Sequence, residues 1–190
     1  MRGRPTERLP KLEHRSTQRA MPDTLTIRPA TRDDLPAIHP VIERAYRGET
    51  ARAGWTHEAD LIIDSPRTDT ATLTAIVEDP SQCLLVADTG SGLLGCVQVT
   101  YKGDGLAYLG LLCVDPGLQS SGLGKQLVTA AENCARDMFG ARAMEMTVID
   151  KRAELIAFYE RRGYSNSGEK RDFPVPLDPP LFMDVLVKPL

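Results

Sequence analysis

The feature that most limits how this chain can fold is an apolar stretch, Leu106–Val114, that runs through a glycine-bearing turn into a long amphipathic stretch ending at Gly140. The first part, closed by Asp115-Pro116-Gly117, reads as a strand. In residues 122–139, Leu123, Leu127, Ala130, Cys134 and Met138 recur at helical spacing, and Gly140 supplies the stop. A strand that feeds a helix directly lays that helix over a sheet, so the chain must build a sheet with helices packed on it. Gly110 interrupts the strand and predicts a bulge or a close backbone approach.

The flanking sequence supplies the rest of such a sheet. Residues 24–28 alternate as a strand, and Thr31-Arg32-Asp33-Asp34 offers a cap to a helix reaching Tyr46, with Leu35, Ile38, Ile42 and Tyr46 on one face. Pro36 suits its first turn and Pro40 predicts a kink. Residues 48–54 read as loop and 56–63 as a short helix. Asp69 or Thr70 caps a helix ending near Glu78, and residues 82–87 and 93–101 form a hairpin around Asp88-Thr89-Gly90-Ser91-Gly92. Further on come a strand, Ala143–Ile149, a cap at Asp150, a helix over 153–162 stopped by Gly163, and strand material at Tyr164 and 181–187 around a proline-rich loop. The expected class is α/β (α+β), with a mixed sheet flanked by helices.

Size and charge narrow the setting. A chain of 190 residues with 42% hydrophobic content can bury one sizeable core. Residues 23–190 are expected to form one domain, and residues 1–22, rich in arginine and poor in apolar residues, a disordered extension. A net charge of -3 argues against a nucleic-acid partner. No run approaches the roughly 18 apolar residues of a spanning helix, so no membrane association is expected. Cys83, Cys96, Cys113 and Cys134 form no C-x-x-C pair and suit reduced core thiols in a cytoplasmic protein. His14, His39 and His57 lack ligand spacing, so no metal is expected. Oligomeric state is open, a homodimer included.

The turn itself carries chemistry. In Gln119-Ser120-Ser121-Gly122-Leu123-Gly124-Lys125, glycines at a helix start bring backbone N–H groups and the positive end of the helix dipole to bear on an anion. The spacing is not a Walker loop, because Leu123 stands where the lysine after Gly122 should be, and Gly124-Lys125 is followed by Gln126. Nor is it a dinucleotide fingerprint, because Leu127 replaces the last small residue and the upstream strands are antiparallel. What remains is Q-x-x-G-x-G after Val114-Asp115-Pro116. Forty residues or so further on lies Leu155-Ile156-Ala157-Phe158-Tyr159-Glu160-Arg161-Arg162-Gly163-Tyr164.

Together these two motifs closely resemble those of the GNAT-type N-acetyltransferase superfamily. The resemblance implies an acetyl-CoA co-substrate whose pyrophosphate lies on the amides of residues 119–125 and whose pantetheine pairs with Leu112, Cys113 and Val114. It implies that an amine acceptor attacks the thioester directly, that a backbone N–H near Cys113 or Val114 holds the oxyanion, and that Tyr159 protonates the departing thiolate. Arg152 stands where many relatives place an asparagine against the cofactor. Glu145 lies two residues short of the strand glutamate of relatives, at Thr147, and the base stays unassigned. The segment after the first helix shapes the acceptor pocket in this superfamily, which makes Glu49, Trp55, Glu58 and Asp60 the expected acceptor contacts. Cys113 lacks a histidine partner and reads as a packing residue rather than a nucleophile. The alternative function is a non-catalytic acyl-CoA-binding regulatory module.

Overall fold

The computed structural model describes residues 25–52, 66–119 and 121–190. The expected extension at 1–22, the expected helix at 56–63, and Trp55, Glu58, Asp60 and Ser120 lie outside the described residues.

Seven strands form one sheet: β1 (Thr26–Pro29), β2 (Gln82–Asp88), β3 (Leu93–Gly103), β4 (Leu106–Val114), β5 (Ala143–Ile149), β6 (Ser165–Asp172) and β7 (Phe182–Pro189). Their spatial order is β1-β2-β3-β4-β5-β7-β6, and every neighbouring pair is antiparallel except β4 with β5. The helices are α1 (Leu35–Tyr46), α2 (Gly48–Arg52), α3 (Thr70–Glu78), α4 (Leu123–Phe139) and α5 (Ala153–Glu160).

Side-chain alternation sorts the strands into two apolar layers. Cys83, Leu85 and Ala87 of β2 pack with α4 and α5, while Leu84 and Val86 pack with α1 and α3. In β4 the alternation breaks. Ala107 and Leu109 face the α4 layer, Leu111 and Cys113 face the α1 layer, and Val114 returns to α4. The cause is a bulge: β3 pairing jumps between Cys96 and Gln98, and Leu111 takes a positive φ of 49°. The interruption expected at Gly110 is therefore real, and the extra residue sits one place beyond the glycine.

Several expectations of detail are corrected. Residues 48–52 form the short helix α2 rather than loop. Pro40 lies within α1, which still reaches Tyr46, where the Arg47 N–H closes the last turn on Glu43. The buried face of α4 is Leu123, Leu127, Val128, Ala131, Cys134 and Ala135, whereas Met138 is 59% exposed. Asp150 does not cap α5; Arg152 holds that position, and Asp150 pairs with Lys170. That helix ends at Glu160, ahead of Arg162. β6 was not expected from its polar sequence; it is an exposed edge strand held by backbone pairing to β7.

Gly140 closes α4 in the left-handed region, φ 63°, and a Cβ there would meet no atom within 4 Å. Gly140→Ala should therefore cost about 1 kcal/mol of stability, all of it backbone strain. Urea denaturation checks this, and an unchanged midpoint would refute the strain argument.

Candidate active site

β4 and β5 pair only through Leu106, Ala107 and Tyr108 against Ala143, Met144 and Glu145. Beyond that point the parallel strands part, as expected where the bulge swings β4 away. A cavity of about 670 Å³ opens in the split, between the start of α4, the face of α5 and the end of α1.

At one end lies the glycine turn. A 3-10 turn, Pro116–Leu118, is capped by Asp115, whose carboxylate accepts from the Gly117 N–H at 3.0 Å and pairs with Arg44 at 2.9 Å. Gly122 has φ 89° and Gly124 packs toward Phe158 and Val114, so α4 starts with bare backbone at the cavity. The cradle is narrower than expected. The Gln119 and Ser121 N–H groups are spent on Pro116 and Leu118, and the first bond back along the helix is Gln126 N–H to Gly122 at 3.2 Å. The N–H groups of Leu123, Gly124 and Lys125 are the ones a helix start leaves for an external acceptor. Gln119 and Lys125 are among the residues lining the cavity.

The middle of the cavity is built by β4, β5 and α5. Leu112, Cys113 and Val114 line it. The Tyr46 hydroxyl donates to the Leu112 carbonyl at 2.7 Å and so ties α1 to the strand just past the bulge. Tyr159 is 5% exposed and stands edge-on to Phe158 and Tyr164, with ring centroids at 5.2 and 5.8 Å. Burial pushes its phenol above the usual tyrosine range, against a smaller opposing pull from the Arg152 charge. Arg152 is itself buried, lines the cavity and lies 3.9 Å from Glu154.

Other expected residues lie elsewhere. Glu145 accepts two bonds from Arg171, at 3.1 and 3.2 Å, and is not among the residues lining the cavity. Glu49 pairs with Arg52 on an exposed surface and is not among them either. Cys113 is buried with its sulfur 3.5 Å from that of Cys96, in keeping with a packing role. Among the described residues no cluster of His, Cys, Asp or Glu could hold a metal, and no helix is long and apolar enough to cross a membrane.

The structure adds residues that sequence reasoning missed. Tyr108 and Thr147 join hydroxyls at 2.7 Å across the point where the strands part. Arg162 stacks on Phe158, its guanidinium carbon 3.4 Å from the ring centre, and with Arg161 lines the cavity. This arginine pair stands in the second motif, two and three places after Tyr159, and could have been found there. Arg47 and Arg67 also line the cavity, as do Phe173, Pro174 and Val175.

The sequence matches the acetyltransferase (GNAT) family over residues 42–164. It is 33% identical over 103 residues to the blasticidin-S acetyltransferase of Streptomyces morookaense, covering 54% of this chain and 68% of that protein. In structure it is similar to the ribosomal-protein-S18-alanine N-acetyltransferase of Escherichia coli, with TM-score 0.67, 18% identity, and 87% and 94% of the two chains covered. It is also similar to yncA of Salmonella typhimurium, solved with acetyl-CoA, with TM-score 0.67, 20% identity and coverage of 88% and 95%.

Proposed function

The chain belongs to the acetyltransferase (GNAT) family, and from that premise we propose that it moves an acetyl group from acetyl-CoA to a primary amine in one step, with Tyr159 as general acid. One observation carries this reading: the glycine-led start of α4, the parted strands and the buried Tyr159 phenol all border one cavity. A phosphate cradle, a strand edge and a proton donor are what a CoA thioester needs. We take residues 23–190 as the catalytic domain, and the reducing cytoplasm as its place, since all four cysteines are buried thiols.

In this reading the Leu123, Gly124 and Lys125 amides hold the pyrophosphate, assisted by the Gln119 and Lys125 side chains, while Arg152 offers its charge to a CoA phosphate. Leu112 and Val114 offer backbone groups to that arm. The Asp115 N–H is bonded to Leu94 at 2.8 Å, and alternation turns Cys113 the same way, which leaves the Val114 N–H on the open side for the oxyanion. The neutral amine attacks the carbonyl carbon, the N–C bond forms and the C–S bond breaks. The sulfur takes the Tyr159 proton, and the proton lost by the amine passes to water and restores the phenol.

The test is release of CoA thiol from acetyl-CoA by the purified protein with an amine panel, with N-acetylated product confirmed by mass. Amine-dependent release is expected. Tight CoA binding by calorimetry without turnover of any amine would instead favour the non-catalytic acyl-CoA-binding module.

A further inference from the structure

Acetyl transfer to an amine releases a proton from the nitrogen as the N–C bond forms, and some group at the cavity must take it. No aspartate, glutamate or histidine stands among the described lining residues. Glu145, two places before Thr147 on β5, gives both its oxygens to Arg171. What the cavity offers instead is the Tyr108–Thr147 hydroxyl pair, two half-buried groups 2.7 Å apart at the point where β4 and β5 part.

The pair also stands between two cavities. A second cavity, of about 290 Å³, is bordered by α3 and by β3 and β4, and shares Tyr108, Gly110 and Leu111 with the first. Thr147 lines the first alone, so Tyr108 is the member that reaches both. Gly110 makes room for this. It lies two places beyond Tyr108 on the same face of β4, and a Cβ there would stand 3.3 Å from the Tyr108 ring edge and 3.5 Å from the Gln98 side-chain oxygen. The second cavity is lined by Thr72, Gln98 and Asp69, with Arg67 bordering both cavities, and it is polar and large enough to hold several waters. The Thr72 N–H, donating to the Asp69 carboxylate at 2.7 Å, holds that carboxyl below its ordinary range, so the second cavity keeps a negative charge.

We propose that Thr147 and Tyr108 form a proton relay that carries the amine proton from the reaction cavity to water in the second cavity. The inference rests on the acetyl-transfer reading above. As the N–C bond forms, the amine proton passes to the Thr147 oxygen, the Thr147 proton to the Tyr108 oxygen, and the Tyr108 proton to water. Each hydroxyl takes one proton and gives one, so both end neutral and no carboxylate is needed beside the thioester. A hydroxyl suits this task because it is donor and acceptor at once.

The experiment measures kcat, KM for acetyl-CoA and Tm with an amine that the wild-type protein acetylates. Tyr108→Phe and Thr147→Val should each lower kcat by about 100-fold, the worth of a positioned proton acceptor, with KM for acetyl-CoA unchanged. The double variant should fall no further than the slower single one, because one broken link stops the chain. Thr147→Ser keeps the hydroxyl and should stay within about threefold of wild type. Gln98→Leu, which makes only the second cavity more apolar, should also slow turnover. A lowered Tm with kcat retained in Tyr108→Phe and Thr147→Val would make the pair a structural clasp and overturn the relay. Should Tyr108→Phe fail to fold, the contrast between Thr147→Val and Thr147→Ser decides. Wild-type turnover in Gln98→Leu overturns the second cavity as the exit. If the wild-type protein acetylates no amine, the acetyl-transfer reading falls and the relay with it, whereas active wild type with active Thr147→Val overturns the relay alone.

Discussion

In Tyr159→Phe, kcat should fall by about 100-fold while CoA affinity and thermal stability stay as in the wild type, because the change removes a proton donor and little else. The ring contacts with Phe158 and Tyr164 are edge-on aromatic packing that phenylalanine keeps. No side chain among the described residues hydrogen-bonds to the Tyr159 hydroxyl. Steady-state kinetics with calorimetry separates the outcomes: retained kcat would make Tyr159 a core aromatic only. The pH profile gives a second reading. Burial raises the phenol above the value near 10 of a free tyrosine. Its acid form therefore persists throughout the neutral and mildly alkaline range, so the rate should climb as the amine deprotonates and show no falling alkaline limb below about pH 10. The same shift makes a stability contribution that is complete below the unfolded value and is lost as pH rises toward the folded one. Tyr164, raised chiefly by burial and also by Glu132, adds in the same direction.

The residues that were legible in the sequence are those whose chemistry is local. The two motifs needed only a strand, a turn and a helix in order, and these the 2.0 and 3.6 periods give directly. Tyr159 could be singled out because it sits inside such a motif. What escaped notice depends on contacts between distant segments. β6 has no apolar face to advertise it, and its backbone pairs with β7 alone. Thr147 stands where relatives often carry a strand glutamate, and only the fold shows its partner, the Tyr108 hydroxyl from β4. Glu145 has no role assigned from sequence, and its partner Arg171, which takes both its oxygens, comes from that same unrecognised strand. Arg67 is the clearest case: its placement needs Glu43 and Tyr46 from α1, 24 and 21 positions earlier in the chain.

Gly95→Ala should be the most damaging small substitution in the sheet, although nothing around Gly95 in the sequence marks it. Gly95 stands opposite Val114, at the point where β3 rejoins β4 after the bulge. A Cβ there would land on the Cys113 carbonyl oxygen, far inside van der Waals contact, and 3.1 Å from the Val114 Cα. These neighbours are backbone, so no side-chain tip can swing aside; β4 itself must move. We expect a loss of about 3 kcal/mol, the upper range for an overpacked core. For a chain of this size that lowers Tm by roughly 10 °C. Because Val114 borders the cavity, the same displacement should weaken CoA binding. Gly92→Ala is the control, since a Cβ at that position meets nothing within 4 Å. Its stability should stay within about 0.5 kcal/mol of wild type. Calorimetric melting of both variants, with CoA titration of Gly95→Ala at a temperature where it is folded, separates the two effects. A wild-type Tm in Gly95→Ala would refute the close approach of β3 and β4. A lowered Tm with wild-type CoA affinity would instead keep the clash and detach the Val114 backbone from cofactor binding.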